Sequence, residues 1–451
     1  MTINMPQHAR TIIDTLSAHG YQAYIVGGCV RDAVLSKTPS DWDITTSARP
    51  EVVKRLFSRT IDTGLKHGTV TVMLDKEAYE VTTFRVDGDY DDHRHPTEVS
   101  FTTSLEEDLK RRDFTINAMA YNDRDGLVDL FGGREDLSRG LIRCVGRAED
   151  RFGEDALRML RAVRFAGQLG FTIEKDSEEA IKKMHKLLSN VSAERIQMEL
   201  LKLMISDHPE MFRLAWETGL TSVFFPEFDR MMETSQNNPH HMYNVGEHTL
   251  LALTFTENNP VLRLALLLHD VGKPFTKTTD EEGIDHFYGH NEVSAAISQK
   301  ILKRLKFDNQ TIKIVTKLLT YHDTRFNNAL TTGRKHVRRI INKVGVPLFP
   351  YLLDIMEADV KAQSPYMREE KLSRLQETRE AYDLILKEND CITLKDLAIN
   401  GNDLKELGIA EGKVIGAILQ ALLDLVLENP KRNDPAYLKQ VAAGIYRELT
   451  Q

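Results

Sequence analysis

Two hydrophobic periods alternate along the chain, and their order predicts its elements. Ile12, Ile13 and Leu16 recur at helical spacing with Gly20 as a stop, predicting a helix over residues 1 to about 20 that packs beneath a sheet. Tyr24-Ile25-Val26 is an apolar run of strand character, stopped by Gly27-Gly28 and followed by a short helix carrying Arg31 and Asp32. A second strand presents Asp41 and Asp43 on one face by the two-residue period, with Trp42 and Ile44 pointing into the core. Residues 50–57 read as helix, 69–74 and 79–85 as strands, and Asp75-Lys76-Glu77 between them as a hairpin turn. Residues 86–96, VDGDYDDHRHP, are polar and acidic and predict a mobile loop. Ser104 and Glu107 make a capping box for a helix running through residues 105–121.

Residues 126–140, GLVDLFGGREDLSRG, are rich in turn formers and predict the close of the sheet domain near 140. The rest reads as helix. Residues 154–165 place Ala156, Leu160 and Val163 on one face and Asp155 with Arg158 on the opposite one. Ser192 signals another helix start, Pro209 and Gly219 punctuate a boundary, and Gly401, Gly408, Gly412 and Gly416 punctuate a small final helical module. The fold class is α+β, a small mixed-sheet head followed by an elongated all-helical body with a helical tail. The expected divisions are 1–140, 141–225, 226–365 and 366–451.

A chain of 451 residues exceeds one hydrophobic core, which agrees with that division. The formal charge of -8 excludes a general polyanion binder, so any nucleic acid must meet local basic patches. Such patches are the run Arg334-Lys335-His336 with Arg338-Arg339, and Lys431-Arg432; solvated helix faces explain them equally well. Cys29, Cys144 and Cys391 are far apart and lack metal-ligand spacing, which fits ordinary thiols in a reducing compartment. The N-terminus has no apolar signal region, and the apolar run 261–268 is broken by Arg263 and too short to span a bilayer, so cytoplasm without a membrane partner is the expectation. Oligomeric state is not legible.

The candidate chemistry begins at the Gly-Gly turn. Glycines let the backbone approach a ligand closely, and the following helix start offers N–H groups to phosphate. Beside it, the paired carboxylates Asp41 and Asp43 suit Mg²⁺, which takes carboxylate and phosphate oxygens and can stabilise both the attacking hydroxyl and the departing pyrophosphate of nucleotidyl transfer. Glu80 on the neighbouring strand is a candidate third carboxylate. Arg111, Arg112, Asp113 and Asn117 could hold a triphosphate or ribose. On the later helix, Asp155 accepts hydrogen bonds and Arg158 donates them. Cytosine and adenine both present an amino donor beside a ring-nitrogen acceptor, and uracil and guanine reverse that polarity, so such a couple would admit C and A without a nucleic-acid template.

With GGCVRD at 27–32, DWD at 41–43, RRDFTINAMA at 111–120, EDALRMLRAVRF at 154–165 and AERIQMELL at 193–201, the chain resembles the class II tRNA nucleotidyltransferases, the CCA-adding enzymes, which are related to bacterial poly(A) polymerases. The resemblance covers residues 20 to about 205. It implies that Asp41 and Asp43 are catalytic and bind Mg²⁺, and that Gly27, Gly28 and Arg31 face phosphate. Arg111, Arg112, Asp113 and Asn117 would hold triphosphate and ribose. Asp155 and Arg158 would pair with incoming CTP or ATP, with Arg161 and Arg164 of the same motif in the nucleotide-binding set, and tRNA would be the substrate. The 86–96 loop resembles the element that complete CCA synthesis needs, with His95 where the family has a second arginine.

The second half carries His248, His269-Asp270 closing an apolar helix, His290, His322 and Asp359. Several histidines and aspartates on neighbouring helices are what an all-helical divalent-metal site needs. Their order resembles the HD phosphohydrolase domain fused to some CCA-adding enzymes, which implies a bound divalent metal of unidentified type acting on a phosphate ester. His290 is followed by Asn291 and not by an acidic residue, a departure from that pattern. The rival readings are a poly(A) polymerase and a protein that is chiefly an HD phosphohydrolase.

Overall fold

The amphipathic N-terminal segment forms α1 (Gln7–Ala18), which buries Ala9, Ile12, Ile13 and Leu16, and Gly20 takes left-handed backbone just beyond it at φ +84°. β1 (Ala23–Val26) is buried at all four positions. Gly27, at φ +79°, turns the chain into α2 (Gly28–Val34). There follow β2 (Ile44–Thr46), α3 (Pro50–Leu56), β3 (Thr60–Gly64) and the hairpin of β4 (Thr69–Leu74) and β5 (Glu77–Thr83). The hairpin's turn has Asp75 at φ +53°, and Leu74 pairs with Glu77 across it. β6 (Arg85–Asp87) pairs with β7 (Val99–Phe101). The computed structural model describes residues 2–88 and 99–450, so most of the expected 86–96 loop, His95 included, lies outside the described residues.

After α4 (Leu105–Lys110) come β8 (Met119–Asn122), β9 (Gly126–Asp129) and α5 (Gly133–Arg139). The sheet order is β3-β4-β5-β2-β1-β8-β9. β2 and β5 run parallel and the other neighbours antiparallel, so the sheet is mixed, as expected. One core of the head gathers Tyr24, Val26, Phe84, Leu109, Ala118, Ala120 and Val145.

Three local expectations fail. Asp41, Trp42 and Asp43 precede β2 and are not part of it, and Trp42 is half-buried and not a core residue. The helix expected over 105–121 ends at Lys110, because Asp113 accepts from its neighbour's amide, Phe114 N, at 2.8 Å and Met119–Asn122 pairs with β1 in the sheet. The turn-rich stretch 126–140 carries the sheet's last strand in sequence, β9, and then α5. Asp129 Oδ1 and Oδ2 accept from Gly133 N and Arg134 N at 2.8 and 2.9 Å and so open α5. Finally, the helix expected from 154 is interrupted at Asp155, which is extended at φ -138°, ψ 103°, between α6 (Ala148–Glu154) and α7 (Leu157–Leu169).

α7 packs on α9 (Ala193–Met204), with α8 (Lys175–Met184) between them in sequence. The helix begins after Ser192 as its sequence signals, although Ser192 makes no side-chain cap bond.

The chain divides into two compact units, Met1–Asp229 and Arg230–Gln451. The second is helical apart from the two-residue strands Thr278–Thr279 and Asp285–His286. Its final module is held by Ile399, Leu404, Ile418, Leu422, Val426 and Leu438, all buried. No helix among the described residues is long and apolar enough to cross a membrane.

Candidate functional site

In the first unit the site is built where β1 ends. Val26 N donates to Asp43 O at 3.0 Å and Gly27 N to Met119 O at 3.2 Å, so the Gly-Gly turn is sewn between the DWD segment and β8. A Cβ on Gly27 would lie 3.1 Å from Arg112 Nη1, which explains why the turn is tight against that guanidinium. In the parallel register Ile44 faces Val81, so the residues just before them, Asp43 and Glu80, come side by side on the face away from the core. Asp43 keeps an exposed face, but partial desolvation of its carboxyl pushes it up to about 6, with Asp41 and Glu80 adding to the rise and Arg112 opposing it. Three carboxylates thus crowd one place, with the Arg112 guanidinium opposing them. That donor set fits a divalent cation.

The RRDFTIN stretch arranges its charges around two buried acids. Asp108 is fully buried, and its Oδ1 accepts from Arg111 Nε and Nη2 at 3.0 and 2.7 Å. Arg112 Nη2 donates to Oδ2 at 3.4 Å and Thr45 Oγ1 to the same oxygen at 3.0 Å. Asp113 accepts from Asn117 Nδ2 at 3.1 Å and from Arg161 Nε and Nη2 at 2.8 and 2.6 Å. Burial alone would raise Asp113, but Arg161 and Asn117 overcome it and hold the carboxyl well below the usual range. Arg31 Nη1 donates to Asn117 Oδ1 at 2.7 Å. Its guanidinium lies 5.2 Å from the Phe165 ring, which Arg161 and Arg164 also approach, at 5.4 and 3.7 Å. Arg31, Asp113, Asn117, Arg161 and Arg164 are therefore one network, with Arg164 Nε donating to buried Glu199 at 2.5 Å.

Asp155 and Arg158 are held by different partners. Arg195 grips the Asp155 carboxylate with Nη2 at 2.7 Å and Nη1 at 3.2 Å, and Arg158 Nη1 donates to Glu154 Oε2 at 2.5 Å. Arg158 Nη2 also donates to Arg111 O at 3.0 Å, tying α7 to the end of α4. Sequence reasoning gave no role to Arg195, Glu154, Asp108 or Glu199. Arg195 and Glu199 stand in the AERIQMELL stretch, where a cation and an acid at helical spacing were the available signal.

The second unit gathers all six of its expected residues. His248 lies in the helix Val245–Leu253, His269 and Asp270 follow Pro260–Leu268, His290 opens His290–Arg304, His322 closes Asn309–Tyr321, and Asp359 lies in Phe349–Ala362. His248 Nε2 is 2.8 Å from Asp359 Oδ1, and His269 Nε2 is 3.2 Å from Asp270 Oδ2. His269 Nδ1 faces Leu266 O at 2.7 Å, so the neutral ring turns the lone pair of its buried, unpartnered Nε2 into a cluster of acids and imidazoles, which fits a metal. Among the described basic runs, Arg338 is buried and donates to Leu427 O at 2.8 Å and Asp390 Oδ2 at 3.0 Å, so it is an internal strut and not a phosphate contact.

The chain matches family models over three stretches: the poly A polymerase head domain at residues 23–143, the probable RNA and SrmB-binding site of polymerase A at 170–232, and tRNA nucleotidyltransferase domain 2 at 275–442. It is 51% identical over 226 residues to the CCA-adding enzyme of Lactiplantibacillus plantarum, covering 50% of this chain and 54% of that protein. With the CCA-adding enzyme of Geobacillus stearothermophilus the identity is 56% over 198 residues, 44% of this chain and 49% of that one. These alignments span about half the length of the relatives. The crystal structure of the Bacillus stearothermophilus CCA-adding enzyme in complex with CTP superposes with a TM-score of 0.72, at 31% identity over 98% of both chains. The Thermotoga maritima CCA-adding enzyme complexed with tRNA shares the fold, with a TM-score of 0.61 at 21% identity.

Fold and site together define a poly A polymerase-type head joined to a helical body. Identity sustained over both whole chains narrows this further: the protein belongs to the CCA-adding enzyme family.

Proposed function

We propose that the chain adds C, C and A to the 3′ end of tRNA, using CTP and ATP and releasing pyrophosphate, in the cytoplasm. The observation that carries the reading is the crowding of Asp41, Asp43 and Glu80 beside the Gly27-Gly28 turn, in a chain whose relatives are CCA-adding enzymes. Asp41 and Asp43 would hold Mg²⁺, with Glu80 beside them. Bound there, the ion supplies charge stabilisation to the tRNA 3′-hydroxyl and to the pyrophosphate.

The chain's own residues do the rest. Gly27 and Gly28 let the triphosphate approach the backbone, and Arg31, Arg111 and Arg112 offset its charge. Asp113 and Asn117 fix Arg31 and Arg161 in place, with Arg164 braced behind them by Glu199. Asp155 accepts from the exocyclic amino group of C or A, and Arg158 donates to the adjoining ring nitrogen. Arg195 acts as a positioning residue, because its two bonds set the direction in which the Asp155 lone pairs point. The head (1–140) thus performs transfer and the neck (141–225) selects the nucleotide.

A second activity is favoured by the cluster at His248, His269, Asp270, His290, His322 and Asp359. These residues would hold divalent metal, and a metal there supplies an activated water for phosphate-ester hydrolysis.

The test offers CTP, ATP, UTP and GTP separately and together to tRNA transcripts ending before CCA, after C and after CC, and reads product lengths. Stepwise C, C, A and then arrest is expected. Long A tails would establish a poly(A) polymerase, and a stop at CC would limit the activity to partial addition.

A further inference from the structure

Arg111 and Arg112 both rest on one buried acid, Asp108 of α4. Its Oδ1 accepts from Arg111 Nε and Nη2, at 3.0 and 2.7 Å, and from the backbone N of Arg85 at 3.4 Å. Its Oδ2 accepts from Arg112 Nη2 at 3.4 Å and from Thr45 Oγ1 at 3.0 Å. Thr45 stands on β2, just past Asp43, and Arg85 opens β6. Through Asp108 the two guanidiniums are therefore fixed to the frame that carries the DWD segment. From the other side, Arg151 Nη1 and Arg158 Nη2 donate to the carbonyl oxygens of Lys110 and Arg111 at 3.1 and 3.0 Å, so the end of α4 is tied to α6 and α7 as well.

The chemistry of this junction points outward to an anion. Burial alone would raise the Asp108 carboxyl, but Arg112 and Arg111 hold it below the usual carboxylate range. Two cations on one acid leave positive charge over, and Arg112 presents its share at the glycine turn, where a Cβ on Gly27 would lie 3.1 Å from its Nη1. Arg112 Nε is buried with no hydrogen-bond partner among the described residues, a donor that an incoming phosphate oxygen would satisfy. Arg112 also feels a second acid, since it opposes the rise of Asp43. Without Asp108 to hold it, this guanidinium would turn to the carboxylates that would hold the cation and be lost to the triphosphate.

Resting on the reading of Arg111 and Arg112 as triphosphate ligands, we propose that Asp108 is a positioning residue for nucleotide binding: it fixes both guanidiniums at the Gly27-Gly28 turn and keeps Arg112 off Asp43. Charge alone predicts the reverse effect on removal, because deleting an acid beside two arginines strengthens their pull on a triphosphate. Loss of position weakens binding, because each freed arginine must be ordered again when the nucleotide arrives. The direction of the change separates the two.

The experiment titrates CTP and CMP separately into the full chain by calorimetry, with chelator in place of metal, so that only the chain's own groups bind phosphate. Asp108→Asn is expected to weaken CTP binding by about tenfold or more and CMP binding by less, lowering the ratio of the two affinities. Arg112→Gln checks the reading beneath and is expected to lower the same ratio. Should Asp108→Asn fail to fold, Thr45→Val removes the hydroxyl on Asp108 Oδ2 and is expected to lower the ratio by a smaller factor; an unchanged ratio there would overturn the proposal. CTP bound as tightly or more tightly by the Asp108→Asn chain, with Arg112→Gln weakened, would overturn positioning and leave Asp108 as a charge offset. Equal weakening of CTP and CMP would overturn it in favour of a purely structural acid. An Arg112→Gln chain that binds CTP as the unsubstituted one does would overturn the triphosphate reading and the proposal with it.

Discussion

Arg161 on α7 clasps Asp113 through both Nε and Nη2, at 2.8 and 2.6 Å, and so joins the neck's central helix to the head's RRDFTIN segment. The carboxylate is nearly buried and lies well below its ordinary pKa, held charged first by this guanidinium and also by the Asn117 amide. Arg161→Ala is expected to destabilise the protein by on the order of 3 kcal/mol in urea unfolding, the cost of leaving one partner of a buried pair alone. Since the folded value lies below the unfolded one, the pair's stabilisation is full above about pH 4 and is lost as pH falls towards the folded value. The destabilisation by Arg161→Ala should therefore shrink in acid. Arg161→Lys keeps the charge but not the two-pronged grip, and should fall between.

Asp43 titrates in the opposite sense. Its folded value of about 6 lies above the unfolded value near 3.9, so its contribution is fully present below the unfolded value and is lost as pH rises through about 6. In chelator at pH 8, Asp43→Asn should raise the thermal midpoint slightly, since the carboxyl keeps contact with solvent, while at pH 4 the two proteins should melt together. Added Mg²⁺ should close the gap at pH 8 by stabilising the unsubstituted protein alone. A variant that melts higher yet incorporates no nucleotide separates strain in the carboxylate cluster from any general effect on folding.

Arg195 touches nothing in the proposed chemistry except Asp155. Arg195→Ala is expected to lower kcat/KM for CTP and ATP by about 10- to 100-fold, the worth of a charge-assisted hydrogen bond, with a smaller loss for UTP and GTP. The readout is the ratio of kcat/KM values between CTP and UTP. A merely structural arginine would lower all four nucleotides alike and leave that ratio unchanged.

Gly133 has no room for a side chain: a Cβ there would meet Thr115 O at 2.3 Å and Met119 Cγ at 3.0 Å. Gly133→Ala should destabilise by about 1–3 kcal/mol through overpacking. It should also weaken nucleotide binding, because Thr115 begins the turn that carries Asn117. Isothermal titration with CTP, beside an unfolding curve, checks both parts.

Elements that declare themselves by local chemistry were legible in the sequence. The helix at 7–18, the hairpin at 75–76 and the glycine turn at 27 follow from periodicity and backbone demands that neighbours in sequence impose. The strand Met119–Asn122, one in from the sheet's edge, was not legible, because its conformation is set by pairing with β1 almost a hundred residues away, which overrides a helical pattern. Site residues with distinctive chemistry, such as Asp41, Asp43 and the histidines, could be chosen from the chain alone. Their partners could not: Asp108, Glu154, Arg195 and Glu199 look like ordinary charged helix residues until folding packs them against the arginines and the aspartate they hold. Arg338 shows the reverse, a member of a basic run that tertiary structure turns inward.

Asp41 and Asp43 stand at the centre of the proposed nucleotidyl transfer to tRNA. The most direct measurement compares incorporation of labelled CTP into a tRNA transcript lacking CCA, with Mg²⁺, by the unsubstituted chain and by Asp41→Ala, Asp43→Ala. Two cytidines added by the first and none by the second, with both chains folded, is the predicted result. Incorporation that survives loss of both carboxylates would show that Asp41 and Asp43 do not carry the transfer.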